Sequence, residues 1–200
     1  YVETGVAQLG IVGENVLLEE ESEVEIVARL GFGKCRMSIA LPKGAAYKGV
    51  QDLQGKKIAT SYPKILQKFF DENKINAEIH IISGSVEIAP GIGLANGVFD
   101  IVSTGSTLAM NGLREVETVL KSEAILIANK TLSPENKNLL QQILFRLEAV
   151  QAAKGNKYIL LNAPSNKVQE ITNLLPGLNA PTVLPLVKEG WSSVHSVIKE

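Results

Sequence analysis

Ser103, Thr104, Gly105, Ser106 and Thr107 set four hydroxyl side chains around one glycine, directly after the apolar pair Ile101-Val102 and three residues beyond Asp100. Backbone N–H groups in such a loop, helped by hydroxyl donors, hold a phosphate without needing a lysine. The same residues also suit a strand-to-helix turn in which Ser and Thr cap the next helix. Covalent chemistry finds little support. His80 and His195 fall in strand-like runs in different parts of the chain, which favours structural roles, and no serine or cysteine triad accompanies them. Cys35 is the single cysteine, so there is no internal disulfide framework; it reads as a buried strand thiol in a reducing compartment.

The elements that must position the loop alternate between strand and helix, which argues for α/β layers with a largely parallel sheet. Leu9 to Val12 reads as a strand, Asn15 to Glu21 as a short acidic helix, and Glu23 to Leu30 and Lys34 to Leu41 as further strand-like runs. Pro42 to Leu53 reads as a connector. A second unit then runs through strand Lys57 to Thr60, a helix opened by Pro63 with Ile65, Leu66, Phe69 and Phe70 on one face, strand Glu78 to Ile82, helix Val86 to Ala95 and strand Phe99 to Val102. The apolar stretches Val116 to Leu120 and Ala124 to Ala128 suit a return to the first part. Ser133-Pro-Glu135 opens a long helix whose stripe of Leu139, Leu140, Ile143, Leu144, Leu147 and Val150 is expected to pack in a core. After the linker at Lys154-Gly-Asn156, the segments Tyr158 to Asn162, Lys167 to Leu175, Thr182 to Leu186 and Val194 to Ile198 read β-α-β-β. In open α/β sheets ligands gather beyond the carboxyl ends of the strands. That places the hydroxyl loop and Gly84-Ser85, with Glu87 just inside the next helix, on one rim.

Composition narrows the class. Two hundred residues with 45% hydrophobic content can bury a sizeable core, as one large or two small domains. A balance of 20 basic against 21 acidic side chains gives no electrostatic footprint for nucleic acid or an anionic membrane. No apolar run approaches a membrane span, and no basic stretch leads into a signal-type core. A soluble cytoplasmic protein is the expectation.

Gly84-Ser-Val-Glu-Ile-Ala-Pro90, Gly93-Leu-Ala-Asn-Gly-Val-Phe-Asp100, the hydroxyl loop and Asn111-Gly-Leu-Arg-Glu-Val116 together resemble ATP phosphoribosyltransferase, the enzyme that opens histidine biosynthesis. The resemblance extends to Leu9-Gly-Ile-Val-Gly-Glu-Asn15 and Ile58-Ala-Thr-Ser-Tyr-Pro63, and so covers nearly the whole chain. Lys157-Tyr-Ile-Leu-Leu-Asn-Ala-Pro164, Leu174-Leu-Pro-Gly-Leu178 and Pro181-Thr-Val-Leu-Pro185 look like the regulatory domain of the family's long form.

The resemblance implies an α/β fold: a two-domain catalytic core like that of type II periplasmic binding proteins, plus a small ferredoxin-like, ACT-like α+β regulatory domain, truncated at both ends. Residues 1–41 and 122–154 would form the first catalytic domain, 42–121 the second, and 155–200 the regulatory domain. It further implies that the 5-phosphate of phosphoribosyl pyrophosphate sits on Ser103, Thr104, Gly105, Ser106 and Thr107, with Glu87 and Asp100 at the ribose hydroxyls. The plain alternatives are a helix-start carboxylate at Glu87 and a cap to a neighbour at Asp100. Tyr62 is the candidate for ATP, or else a staple onto its own helix. Thr182 is the candidate contact for histidine as feedback inhibitor, or else an ordinary strand residue after a proline turn. Mg2+ is the expected cofactor, and a homo-oligomer between dimer and hexamer the expected assembly.

Some positions depart from the family's pattern. Gln8 stands where an acidic residue is usual before Leu-Gly-Ile, and Ser106 where some relatives carry another side chain. The early basic residues that meet ATP and diphosphate in the family are absent, and the chain reads as an internal fragment. A two-domain solute-binding module and a regulatory relative without catalysis are the competing readings.

Overall fold

The computed structural model describes residues 1–175, 177 and 180–199. Pro176 and Leu178 of the Leu174-to-Leu178 motif therefore lie outside the described residues. The chain divides into two compact units, Tyr1–Lys137 and Asn138–Glu200.

The first unit holds β1 (Leu9–Gly13), α1 (Glu14–Glu20), β2 (Glu25–Arg29), β3 (Cys35–Pro42), β4 (Lys57–Thr60), α2 (Pro63–Asn73), β5 (Glu78–Ile81), β6 (Gly97–Val102), α3 (Ser106–Met110), β7 (Leu113–Ser122) and β8 (Ala124–Ala128). Short 3-10 turns span Val50–Leu53 and Val86–Ile88. Two sheets result. One is antiparallel in the order β1-β8-β2, and the other has five strands in the order β5-β4-β6-β3-β7.

The five-stranded sheet is mixed. β4 runs parallel to β5 and β6, whereas β3 lies antiparallel to β6 and β7. The largely parallel sheet expected from the alternating pattern is thus only half present. Parallel neighbours need long crossovers, and β3 and β7 instead enter from the three-stranded sheet through short links, Leu30 to Lys34 and the single residue Glu123. β3, grouped by sequence with residues 1–41, pairs inside the five-stranded sheet.

Side-chain alternation along β3 and β6 builds a core on each face. Met37, Ile39, Leu41 and Phe99, all fully buried, pack with Ile58 under Leu66 and Phe70 of α2. On the opposite face Ala40, Val98 and Val102 meet Val86 and Leu108. Asp100 has the parity of Val98 and Val102, so it projects on the side of the Val86–Ile88 turn. That turn replaces the helix expected over Val86 to Ala95. Pro90, Gly91 and Gly93, the last at φ +77°, give the chain no means of continuing it.

The second unit holds most of α4 (Pro134–Ala153), then β9 (Asn156–Pro164), α5 (Val168–Leu174), β10 (Thr182–Pro185) and β11 (Trp191–Lys199). Its strands form an antiparallel sheet in the order β10-β11-β9, the β-α-β-β sequence read from the pattern. Of the α4 stripe, Leu140 is buried while Leu139, Ile143 and Val150 are exposed, so the core packing expected of it is confined to part of the helix. Among the described residues no helix is long and apolar enough to cross a membrane.

Candidate active site

Asp100 sits on β6 two residues before the strand ends, and its Oδ1 accepts the N–H of Ile101 at 2.7 Å. Burial pushes its carboxyl above the usual range; the Ile101 N–H opposes this and the negative charge of Glu87 adds to it. The 3-10 turn after β5 that carries Glu87 packs against β6, with Val86 beside Val98 and Val102, so the two carboxylates assigned from sequence lie on elements that meet.

The hydroxyl loop follows immediately. Gly105 adopts φ +81°, a conformation that L side chains rarely take, and starts α3. Ser103, Thr104, Ser106 and Thr107 are exposed. Thr104 Oγ1 lies 2.9 Å from Ser106 Oγ, and the Ser106 N–H points at Thr104 Oγ1 at 3.4 Å. These side chains fold over the loop's own backbone and do not cap a long helix, since α3 has only five residues.

Arg36, which sequence reasoning passed over, secures the loop's entrance. Its ladder partner on β6 is Val102, so its guanidinium reaches the first loop residue, donating from Nη1 to the Ser103 carbonyl at 3.1 Å. Nε and Nη2 fork onto both oxygens of Glu115 at 2.6 Å each. Ser38 and Thr118 also donate to Glu115, at 3.0 and 3.1 Å. The Arg36 bond, foremost, holds the Glu115 carboxyl below its ordinary range. The only signal in the sequence was a cation at the start of a strand; its partner is 79 residues away.

Tyr62 completes this rim from the end of β4. Its N–H donates to Thr60 Oγ1 at 2.8 Å, and its half-buried ring brings the hydroxyl near Asn15, Asp100 and Cys35. Burial and the Asp100 charge raise the hydroxyl's pKa. The sequence-assigned Tyr62, Glu87, Asp100 and loop 103–107 thus cluster beyond β4, β5 and β6. Next to the loop, Arg29, Lys34, Arg36, Lys121 and Ser103 line a cavity of about 460 Å³ in which Arg29 pairs with Glu14 and Glu123. Among the described residues no three His, Cys, Asp or Glu side chains gather as a metal cage.

Thr182 lies in the second unit, exposed at the start of β10 and opposite His195 of β11. His195 bonds Tyr158 Oη through Nδ1 and Ser193 Oγ through Nε2, the latter at 2.9 Å. Both ring nitrogens are satisfied, in keeping with a structural histidine.

The model of the ATP phosphoribosyltransferase family matches residues 1–149, and that of its C-terminal domain matches residues 153–200. An ATP phosphoribosyltransferase of Bacteroides thetaiotaomicron is 58% identical over 199 residues, spanning 100% of this chain and 70% of the relative. One from Phocaeicola vulgatus is 58% identical over 98% of this chain and 69% of its own length. Among solved structures, the ATP phosphoribosyltransferase HisG:HisZ complex of Thermotoga maritima superposes with a TM-score of 0.66 at 29% identity, over 75% of this chain and 73% of that one. The substrate-binding protein of an amino acid ABC transporter, at 11% identity and TM-score 0.56 over 76% of this chain and 68% of that one, shares the fold alone. The chain belongs to the ATP phosphoribosyltransferase family, enzymes that join ATP to phosphoribosyl pyrophosphate in the first step of histidine biosynthesis.

Proposed function

We propose that phosphoribosyl pyrophosphate lies along the rim beyond β5 and β6, its 5-phosphate on the backbone N–H groups and hydroxyls of residues 103–107 and its ribose hydroxyls on Glu87 and Asp100. The observation that carries this reading is the juxtaposition of two carboxylates with an exposed hydroxyl loop held at its start by Arg36. Carboxylates accept from vicinal hydroxyls, two adjacent ones at once. Tyr62, on the same rim, takes the ATP side.

In the transfer, N1 of adenine donates its electron pair to C1 of the ribose while the C1–O bond breaks and its pair leaves with pyrophosphate. C1 becomes cation-like and the diphosphate gains charge. Glu87 and Asp100 hold the ribose hydroxyls and favour the positive centre; alignment of the two substrates supplies much of the rest. Arg36, each of its nitrogens bonded to Glu115 or to the Ser103 carbonyl, holds the loop in place for the 5-phosphate. Magnesium would neutralise the charge that develops on the diphosphate, and the oxygen donors this rim could offer it are the carboxylates of Glu87 and Asp100.

The catalytic part divides at the links 30–34 and 123, giving one lobe on the three-stranded sheet and one on the five-stranded sheet. Residues 155–200 form the regulatory domain, with histidine at Thr182, in a cytoplasmic homo-oligomer between dimer and hexamer. Calorimetric titration with phosphoribosyl pyrophosphate tests the site. Loss of the heat of binding in Gly105→Val, with an unchanged circular-dichroism spectrum, is expected, and undiminished affinity would remove the loop from the site.

A further inference from the structure

Tyr62 occupies the N-cap position of α2, where Ser, Thr, Asp or Asn would ordinarily accept from the first free amides, and it makes no such bond. Pro63 has no N–H to satisfy. The free donors that remain in the first turn are the N–H groups of Lys64 and Ile65. Both are met from outside the helix: Glu19 of α1 accepts from Lys64 N–H on Oε1 and from Ile65 N–H on Oε2, each at 3.0 Å. Glu21 adds an ion pair to Lys64 Nζ at 2.9 Å.

The cap comes from the other lobe. α1 follows β1 of the three-stranded sheet, and α2 follows β4 of the five-stranded sheet. Four residues before Glu19, on the same helix face, Asn15 is buried and bound twice to Ser122. Its N–H donates to Ser122 Oγ at 3.1 Å, and its Oδ1 accepts from Ser122 Oγ at 2.9 Å. Ser122 ends β7, one residue before the chain crosses between the sheets. The carboxamide of Asn15 also faces the Tyr62 hydroxyl. One face of α1 thus holds the crossover with Asn15 and the start of α2 with Glu19, and Tyr62 stands between them.

We propose that Glu19 is a positioning residue for the transfer, capping α2 from the opposite lobe so that Tyr62 needs no capping side chain and is held ready for ATP. This rests on the assignment of Tyr62 to ATP. A serine or aspartate at position 62 would cap α2 by itself but leave no ring on the rim. Glu19 makes the ring compatible with a stable helix start, and it ties the position of that ring to the approach of the two lobes.

The test is steady-state kinetics of the enzyme with both substrates for Glu19→Ala, Glu19→Gln, Tyr62→Leu and the double variant Glu19→Ala/Tyr62→Leu. Loss of a charged cap is expected to raise KM for ATP by about tenfold, with KM for phosphoribosyl pyrophosphate unchanged. Gln retains one acceptor and should fall between Ala and wild type. Because Glu19 acts through Tyr62, the double variant should match Tyr62→Leu alone instead of multiplying the two effects. Amide exchange at Lys64 and Ile65 should quicken in Glu19→Ala. Multiplying effects, equal rises in both KM values, or unchanged exchange would overturn the proposal while leaving Tyr62 in place. A Tyr62→Leu variant with wild-type KM for ATP would remove the Tyr62 assignment, and the role of Glu19 with it. Should Glu19→Ala fail to fold, the same split between substrates in Glu19→Gln decides.

Discussion

Arg36 grips Glu115 with two parallel hydrogen bonds of 2.6 Å and spends a third donor on the carbonyl of Ser103. A fork of this kind is planar and directional, so it sets the first residue of the hydroxyl loop as well as neutralising a charge. Arg36→Met keeps the stem packed and removes the fork. It is expected to lower stability only modestly, because both side chains are partly exposed, and to weaken phosphoribosyl pyrophosphate binding. Denaturant melts and donor titrations check the two effects separately.

Glu115 also gives the protein an acid limb. Its carboxyl is held below the ordinary range in the folded protein, so its contribution to stability is complete above the unfolded glutamate pKa of about 4.3 and is lost as pH falls through the lower folded value. Glu115→Gln removes that contribution at all pH. Its melting temperature should therefore approach that of the wild type as pH drops below about 4, and lie furthest from it near neutrality. A constant difference across that range would count against the linkage.

Asp100 works in the opposite direction. Its folded pKa is raised, chiefly by burial, so ionising it costs stability as pH climbs from the unfolded value toward the folded one. Asp100→Asn should thus leave the protein as stable or more stable at neutral pH, by up to about 1 kcal/mol, while turnover falls. Thermal melts at pH 7 read the first effect, and a destabilised Asn variant would show that Asp100 is instead a structural cap.

These positions also show what the sequence could disclose. The strands and the α2 face were readable because apolar residues recur with the period of each element, as in Ile65, Leu66, Phe69 and Phe70. The hydroxyl loop was readable because its chemistry is contiguous. The antiparallel entry of β3 was not, since nothing in Cys35 to Pro42 encodes its neighbours. Arg36 with Glu115, Asn15 with Ser122, and Glu19 with Lys64 and Ile65 join residues distant in sequence, and only the pairing of strands and helices brings them together. The turn at Val86–Ile88 carries a helix-like pattern in the sequence because Val86 and Ala89, both buried, mimic a helical face.

Regulation by histidine is testable at Thr182. If the second unit holds the inhibitor, binding and inhibition share one coupling free energy of about 1–3 kcal/mol. Thr182→Ala should raise both the histidine Kd and the inhibitory concentration by the same factor without altering uninhibited turnover. Isothermal titration alongside activity measurements checks this, and a change in one quantity without the other would break the link.

Loss of one charge-assisted hydrogen bond at the loop should cost about 1.5–3 kcal/mol, one to two decades in affinity. Thr107→Ala is the mildest way to remove one, because the residue is exposed and its backbone is helical. Donor titration reads the effect, and an affinity within twofold of the wild type would leave Thr107 a bystander.

The central claim is that Glu87 and Asp100 hold the ribose while C1 gains positive character. Pyrophosphate release from ATP and phosphoribosyl pyrophosphate, measured for Glu87→Gln and Asp100→Asn beside the donor Kd of each, tests it most directly. Contacts that strengthen in the transition state predict a fall in kcat larger than the loss of ground-state affinity in both variants. Turnover that stays at the wild-type rate, or falls only as far as donor binding weakens, would contradict the account.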